Sequence, residues 1–318
     1  MHILKSKTFS KPPLKSKILY RFLFFRAIKV VYSLVLVSVT LIGLVVATFT
    51  DLKKREVPDW LSYGLISAGL GLNLLFSIIY WDYWFILNSV IGFVIFLIVA
   101  LIMFYAGQWG GGDSKVLMGL GALIGLDIRF TSFPFLMSFF FNMLLAGAFY
   151  GLLWSFVLIL KHWKLFRKEY KRMSHTARMI KARTYLFVFA FLMLALSFFT
   201  RGIGLSFLFL ALLLMVLATF YLWIFVKSIE KTCMIKAISP DKLTEGDWIV
   251  KDVMYKGRYI CGPKDLGIEK KQIRKLVKLY KENKIKEVLI KEGIPFVPSF
   301  LIAYVITLFL GNLLFLFI

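Results

Sequence analysis

Residues 30–50 read VVYSLVLVSVTLIGLVVATFT, an uncharged run that is followed at once by Asp51 and by the basic segment 52–55. A helix needs about 20 apolar residues to cross a membrane, so this run predicts a transmembrane helix that ends in a carboxylate. Comparable runs recur at residues 60–79, 84–105, 113–133, 135–160, 184–199, 204–226 and 294–318. The sequence therefore predicts an all-α polytopic membrane protein with about eight transmembrane helices.

Polar segments divide this chain into four predicted parts. Residues 1–29 carry eight Lys or Arg and no acid, which is typical of a segment lying on lipid headgroups. A membrane-embedded core, 30–226, a polar insert, 227–293, and a C-terminal transmembrane helix, 294–318, follow. The first apolar run is a full span without a small-residue cleavage site, so we expect no cleavable signal peptide.

The polar insert is predicted to be a small α+β element. Residues 248–253, 258–261 and 287–290 are typical of strands, with a turn at Lys256 and Gly257 between the first two. A helix follows from apolar residues at helical spacing, namely Ile273, Leu276, Val277 and Tyr280.

The distribution of basic residues predicts the orientation in the membrane. Alternate loops, 51–59, 161–183 and 227–293, hold 3, 9 and 17 basic residues, and such loops stay in the cytoplasm. Asp51, Asp113 and the insert then lie on the cytoplasmic side of a cell membrane. The basic N-terminus lies outside, against the rule, unless it re-enters the membrane or the number of spans differs by one.

The formal net charge of +23 points to the lipid bilayer rather than to nucleic acid. Most of this charge flanks apolar runs, where Lys and Arg set orientation and contact anionic headgroups. Neither the two cysteines nor the three histidines have the spacing of metal ligands, so we expect no metal and no cofactor. The cysteines, Cys233 and Cys261, are expected to be reduced.

Two carboxylates mark a candidate catalytic site. Asp51 ends the first span, and Asp113 begins the fourth after Gly110, Gly111 and Gly112, so that both lie at one face of the membrane. Ionisable residues at membrane depth indicate function. A close pair of carboxylates shares one proton, and hydrolysis of a peptide bond by water requires such an acid and base. The glycines would let backbone or substrate approach closely.

Each carboxylate also has a simpler interpretation. Asp113 could cap the helix that it begins, and Asp51 could be an acid at headgroup level beside Lys53 and Lys54. The two motifs taken together, with their spacing and sidedness, favour the catalytic interpretation.

Two strings carry a family resemblance: TDLKKREVPDWL at residues 50–61 and GGGDSK at residues 110–115. They resemble the paired signatures of type IV prepilin peptidases, which belong to the GxGD class of membrane aspartyl proteases. The resemblance implies that Asp51 and Asp113 are the catalytic dyad and that Lys115 tunes the charge near them. The insert and the segment GIPFVPSF, residues 293–300, resemble archaeal members. Pro295 and Pro298 would either loosen the start of the last helix or simply be tolerated there, as proline is at helix starts.

The resemblance implies substrates and a place of cleavage. These substrates are prepilins or prearchaellins, each with a basic leader outside the bilayer and a hydrophobic helix within it, cut at the cytoplasmic face. The zinc-binding cysteine domain of many bacterial members is absent, so methyl transfer is not implied. Asp59 stands where many relatives have Asn, and it is either a rival to Asp51 or the cap of the second span.

Two other functions remain open at this stage. A protease of the presenilin kind would cut inside a transmembrane helix, but here Thr50 precedes Asp51 where those proteins have Tyr, and no Pro-Ala-Leu follows. An ion- or proton-coupled transporter would use the same acids. Inverted repeats would favour the transporter, and we recognise none.

Overall fold

The computed structural model describes residues 14–129, 133–200 and 203–316, and helices dominate this part of the chain. The first thirteen residues of the predicted N-terminal segment lie outside it. The helices are α1 Leu14–Lys54, α2 Asp59–Tyr80, α3 Trp84–Tyr105, α4 Gly111–Ile124, α5 Phe135–Lys161, α6 Trp163–Ser174, α7 Ala177–Phe199, α8 Ile203–Cys233, α9 Lys270–Lys281 and α10 Val297–Leu310. The strands are β1 Ile235–Ile238, β2 Trp248–Ile249, β3 Val253–Tyr255, β4 Arg258–Cys261 and β5 Val288–Lys291.

Six helices of the described chain are long and apolar enough to cross a membrane: α1 from Val30, α2, α3, α5, α7 and α8 from Gly204. The predicted polytopic membrane protein with a small α+β insert is confirmed. Residues 14–29 continue the first helix without a break.

The other two predicted spans are shorter helices. Both α4 and α10 have 14 residues, or about 21 Å at 1.5 Å per residue, against a hydrocarbon layer of about 30 Å. Each ends at a glycine with positive φ: Gly125 at 66° after α4 and Gly311 at 68° after α10. Glycine adopts this conformation readily, so it stops a helix within an apolar run.

The chain forms two compact units, residues 1–147 with 295–318, and residues 148–294. This division differs from the boundary at 226 that the sequence predicts. The first unit holds α1 to α4, the first half of α5, and α10, with α4 packed against both α2 and α3.

Small residues bring α4 close to its neighbours. A Cβ atom added at Gly69 of α2 would lie 2.7 Å from the carbonyl carbon of Ala122 in α4. One added at Gly92 of α3 would overlap the carbonyl oxygen of Gly121 in α4. Such contacts are how membrane helices pack, because lipid supplies no hydrophobic force between them.

A buried polar network also joins these helices. The Asn73 amide on α2 donates to the carbonyls of Gly69, at 2.8 Å, and Ala122, at 3.3 Å. It accepts from the Tyr32 hydroxyl of α1 at 2.7 Å, and the Ser89 hydroxyl of α3 donates to Ala122 at 2.6 Å. The unit is therefore fixed by packing and hydrogen bonds together.

The second unit contains the end of α5, α6 to α8, and the insert. Strands β1, β5 and β2 form an antiparallel sheet in that order, and β3 pairs with β4 in a hairpin. Lys256 and Gly257 make the hairpin turn with φ of 48° and 74°, as the sequence predicts, and two positive φ values suit a type I′ turn.

Three details of the insert differ from the prediction. Residues 248–253 are split between β2, which pairs with β5, and β3, which pairs with β4. Strand β1 was not predicted, because its side chains do not alternate between buried and exposed. On α9 the buried residues are Leu276 and Leu279, whereas Tyr280 is 37% exposed.

Candidate active site

Asp51 lies in the last turn of α1 and is buried, with 5% of its surface exposed. The helix ends at Lys54, and the next residue, Arg55, takes the left-handed conformation with φ of 56°. Its N–H donates to the Asp51 carbonyl oxygen at 2.8 Å. The backbone therefore leaves α1 sharply, one turn beyond the carboxylate, and reaches Pro58 just before α2 begins.

Asp113 lies in the first turn of α4 and is half-buried. Its Oδ2 accepts a hydrogen bond from the Gly110 N–H at 3.1 Å. The residue therefore does cap α4, as the simpler interpretation suggested, but from the third helical position. That hydrogen bond engages Oδ2 of the carboxylate.

The structure brings these two carboxylates to one end of the first unit. Helices α1 and α4 are in contact, and Gly112, which directly precedes Asp113, lies against Val57 in the segment that follows α1. The two residues are 62 positions apart in the chain. Tertiary packing therefore places them in one region of the molecule, as a catalytic pair would require.

One of the three glycines explains how α4 approaches the segment after Asp51. A Cβ added at Gly112 would lie 3.3 Å from the Val57 nitrogen and 3.4 Å from the Val57 Cβ, which is closer than most side chains tolerate. Gly110 and Gly111 have room for a Cβ atom. Close backbone approach therefore depends on Gly112, and the other two glycines leave space beside Asp113.

The start of α10 completes this end of the first unit. The Val297 N–H donates to Asp51 Oδ2 at 3.0 Å, and Val297 is fully buried. Pro298 occupies the second position of the helix, where it is tolerated because the N–H it lacks has no helical partner there. Helix α10 thus presents a free backbone N–H to the carboxylate.

Aromatic side chains tie α10 to the glycine segment. Trp109, which directly precedes Gly110, is buried, and its ring centre lies 5.6 Å from those of both Phe296 and Phe300. These three rings and the Val297 hydrogen bond link Asp51, the glycine segment and α10. Sequence reasoning missed the hydrogen bond and the aromatic contacts, although Pro295 and Pro298 marked where α10 begins.

Lys115 is paired with Asp59. The Lys115 Nζ lies 2.5 Å from Asp59 Oδ1 and 5.2 Å from the centre of the Tyr63 ring. Asp59 is the first residue of α2 and makes no capping hydrogen bond, since Pro58 occupies the N-cap. With 68% of its side chain exposed, Asp59 differs sharply from buried Asp51.

Potential metal ligands do not cluster in the described part of the chain: no group of three or more His, Cys, Asp or Glu lies close enough together. Both cysteines are buried free thiols. Burial raises the pKa of Cys261 to about 11, so its thiol stays protonated and unreactive at neutral pH.

Comparison with known proteins gives a match in this same region. Residues 38–152 match the model of the type IV leader peptidase family. The preflagellin peptidase of Methanocaldococcus jannaschii is 41% identical over 83 residues, which is 26% of this chain and 35% of that protein. Those of Methanococcus voltae and Methanococcus maripaludis are 38% identical over 87 residues and 41% over 83. No solved structure matches.

The family prediction is confirmed. Its support is the match of residues 38–152 to the type IV leader peptidase family. The matched segments cover about a third of the length of the curated relatives, 35–37%.

The leader peptidase segment contains both carboxylates and the glycine motif, but it stops before α10. The structure therefore adds to the family match a contact from outside the matched residues, the Val297 N–H on Asp51.

Proposed function

We propose that the chain is a membrane aspartyl endopeptidase of the GxGD class that removes leader peptides from type IV prepilin-like precursors. The observation that carries the proposal is that Asp51 and Asp113 lie at one end of the first unit, where the start of α10 contacts both Asp51 and Trp109 of the glycine segment. The match to the type IV leader peptidase family and the preflagellin peptidases named above supports the substrate class.

The chemistry follows from two neighbouring carboxylates. Like charges in a poorly solvated site cannot both persist, so the pair holds one shared proton. The ionised member takes a proton from water, and the protonated member polarises the scissile carbonyl. Because the two groups titrate as a unit, neither residue is assigned the acid role.

Backbone N–H groups hold both carboxylates in place. Asp51 accepts from Val297 and Asp113 accepts from Gly110, in each case through Oδ2. This arrangement fixes the orientation of each side chain through one oxygen, and it favours binding of the water between the other oxygens. Positioned groups of this kind make general acid–base catalysis effective.

The substrate is a pilin or archaellin precursor with a basic leader and a hydrophobic helix. The helix would lie among the membrane helices and the leader at the cytoplasmic face, because the basic loops 51–59, 161–183 and 227–293 assign that face to the carboxylates. The proposed mechanism uses no cofactor.

The test is cleavage of a prepilin or prearchaellin with a tagged leader, by the full chain in membrane vesicles, scored by a mobility shift. Wild type is compared with Asp51→Asn, Asp113→Asn and Asp59→Asn at equal abundance. Asparagine keeps the shape of the side chain and removes the titratable group. Asp59→Asn is the matched control, because Asp59 is exposed and bound to Lys115.

We expect wild type and Asp59→Asn to cleave, and the other two variants to be inactive. If Asp59→Asn is inactive and Asp51→Asn active, the leader peptidase function stands and the assignment of the dyad is wrong. If wild type cuts no such precursor, the proposed substrate class is wrong.

A further inference from the structure

Helix α6 has two chemically different faces, and it lies where three apolar helices end or begin. It follows the end of α5, precedes α7, and packs against the last turns of α8. Phe166 is its buried anchor, in a cluster with Ile159, Ile229 and Cys233. An amphipathic helix at the ends of spanning helices lies at the depth of the lipid headgroups.

A cavity of about 290 Å³ opens beside this helix. It is lined by four aromatic residues and one cation, namely Trp163, Phe166, Tyr170, Phe225 and Arg167. The Phe166 ring centre lies 5.8 Å from those of both Tyr170 and Phe225, so the inner wall is continuous and apolar. Arg167 is exposed and is the charged member of the lining.

Other cations lie near Arg167 on α6. Lys164 and Lys171 are three and four positions from it, the spacing at which side chains are neighbours on a helix surface, and Lys168 follows it directly. Within the described residues, none of these four side chains forms an ion pair. The nearby acid, Glu169, is instead paired with Arg172 at 2.6 Å and Lys231 at 3.9 Å.

We propose that α6 and the end of α8 form a binding site for an anionic phospholipid. The headgroup phosphate binds Arg167 and Lys171, and the upper part of one acyl chain occupies the aromatic cavity against Phe225. Guanidinium groups bind phosphate through two parallel hydrogen bonds, and each cation near an anionic surface strengthens lipid binding.

The shape of the site favours a lipid over other anions. A free phosphate ion would use the cations but not the apolar cavity, and an acidic peptide would have to reach a helix at the depth of the headgroups. The lipid alone satisfies the cations and the cavity together. The proposal does not depend on the proposed peptidase function, and its test measures binding alone.

The experiment is native mass spectrometry of the full chain in mild detergent, with equal amounts of phosphatidylglycerol and phosphatidylcholine added. We expect wild type to retain phosphatidylglycerol preferentially. The double variant Arg167→Gln/Lys171→Gln should weaken this retention by about tenfold or more, because it removes two cations. The exposed Trp163→Ala change should weaken it several-fold without altering charge.

The matched control is Lys275→Gln/Lys278→Gln in α9, another basic amphipathic helix, whose residues do not line this cavity. It should keep the wild-type preference. Equal retention of both lipids by wild type, an equal loss in the α9 control, or no effect of Trp163→Ala would each overturn the proposal. Displacement of the lipid by millimolar glycerol phosphate would also overturn it, since a free phosphate would then suffice.

Discussion

Helices α1 and α8 have the same mean hydropathy in their most apolar stretches, yet 28% of that stretch is buried in α1 and only 11% in α8. Its neighbour α7 is 6% buried. Helices α1 to α4 approach through glycines and through the Asn73 network. The α7–α8 hairpin has large apolar side chains on its surface. Near its turn the hydroxyl groups of Thr200 and Ser206 form a hydrogen bond, with their oxygens 2.7 Å apart.

This difference teaches that apolarity places a helix in the membrane but does not decide what it packs against. Small residues and buried polar groups decide that, because lipid tails compete equally for any large apolar side chain. The region that carries the carboxylates is the tightly packed one. Positioned carboxylates need rigid neighbours, whereas lipid-facing helices do not.

The largest expected effect tests whether Asp51 and Asp113, in the tightly packed region, act together in catalysis. Asp51→Asn and Asp113→Asn should each lower kcat/KM by more than about 1,000-fold, and the double variant should fall no further, because groups that act together are not additive. The measurement is cleavage of a leader-bearing precursor in vesicles. Two independent losses that multiply would show that the carboxylates do not share one step.

The next effect concerns the contact from α10. Replacing the amide at residue 297 by an ester removes the N–H that binds Asp51 and keeps the side chain. Loss of a hydrogen bond to a charged group costs about 1.5–3 kcal/mol, so cleavage should fall by about tenfold to a hundredfold.

The control for this change is an ester at residue 299, whose N–H donates to the Phe296 carbonyl at 3.0 Å and not to a carboxylate. It should leave cleavage within a few-fold of wild type. Equal losses at the two positions would mean that only the helix start was disturbed.

Glycine substitutions compare the two regions directly by stability. Gly69→Ala places a methyl group 2.7 Å from α4, and overpacking of this kind costs about 1–3 kcal/mol. Gly71→Ala on the same helix and Gly204→Ala on α8 meet nothing within 4 Å and should be neutral or slightly stabilising. Thermal unfolding in detergent measures all three. A similar Tm for Gly69→Ala and Gly71→Ala would contradict the close packing of α4.

The smallest effect is expected at the exposed ion pair between Lys115 and Asp59, near the proposed catalytic pair. Exposed pairs contribute about 0–1 kcal/mol, and Lys115 and Asp59 keep 31% and 68% of their side chains exposed. Lys115→Gln, Asp59→Asn and the double variant should therefore cleave within about threefold of wild type. A loss in Lys115→Gln alone, unchanged by the second substitution, would instead give Lys115 a role toward the carboxylates.

Much of the architecture could be predicted from local pattern. The six long apolar helices, the insert and the turn at Lys256 and Gly257 each depend on contiguous residues, which is where periodicity and turn chemistry are informative. The lengths of α4 and α10 were overestimated, because a hydrophobic run does not reveal that Gly125 and Gly311 take positive φ. On α9 the predicted buried face included Tyr280, whereas the structure buries Leu279 instead.

For this protein, the sequence by itself determined the membrane character, the two carboxylate motifs and the family that they resemble. The tertiary structure decided which other groups meet them. Asp51 accepts a hydrogen bond from Val297, 246 residues away. Lys115 forms an ion pair with Asp59, and Gly112, rather than all three glycines, is the point of close backbone approach. The physical reason is that such contacts depend on how helices distant in the chain pack together, which no local pattern encodes.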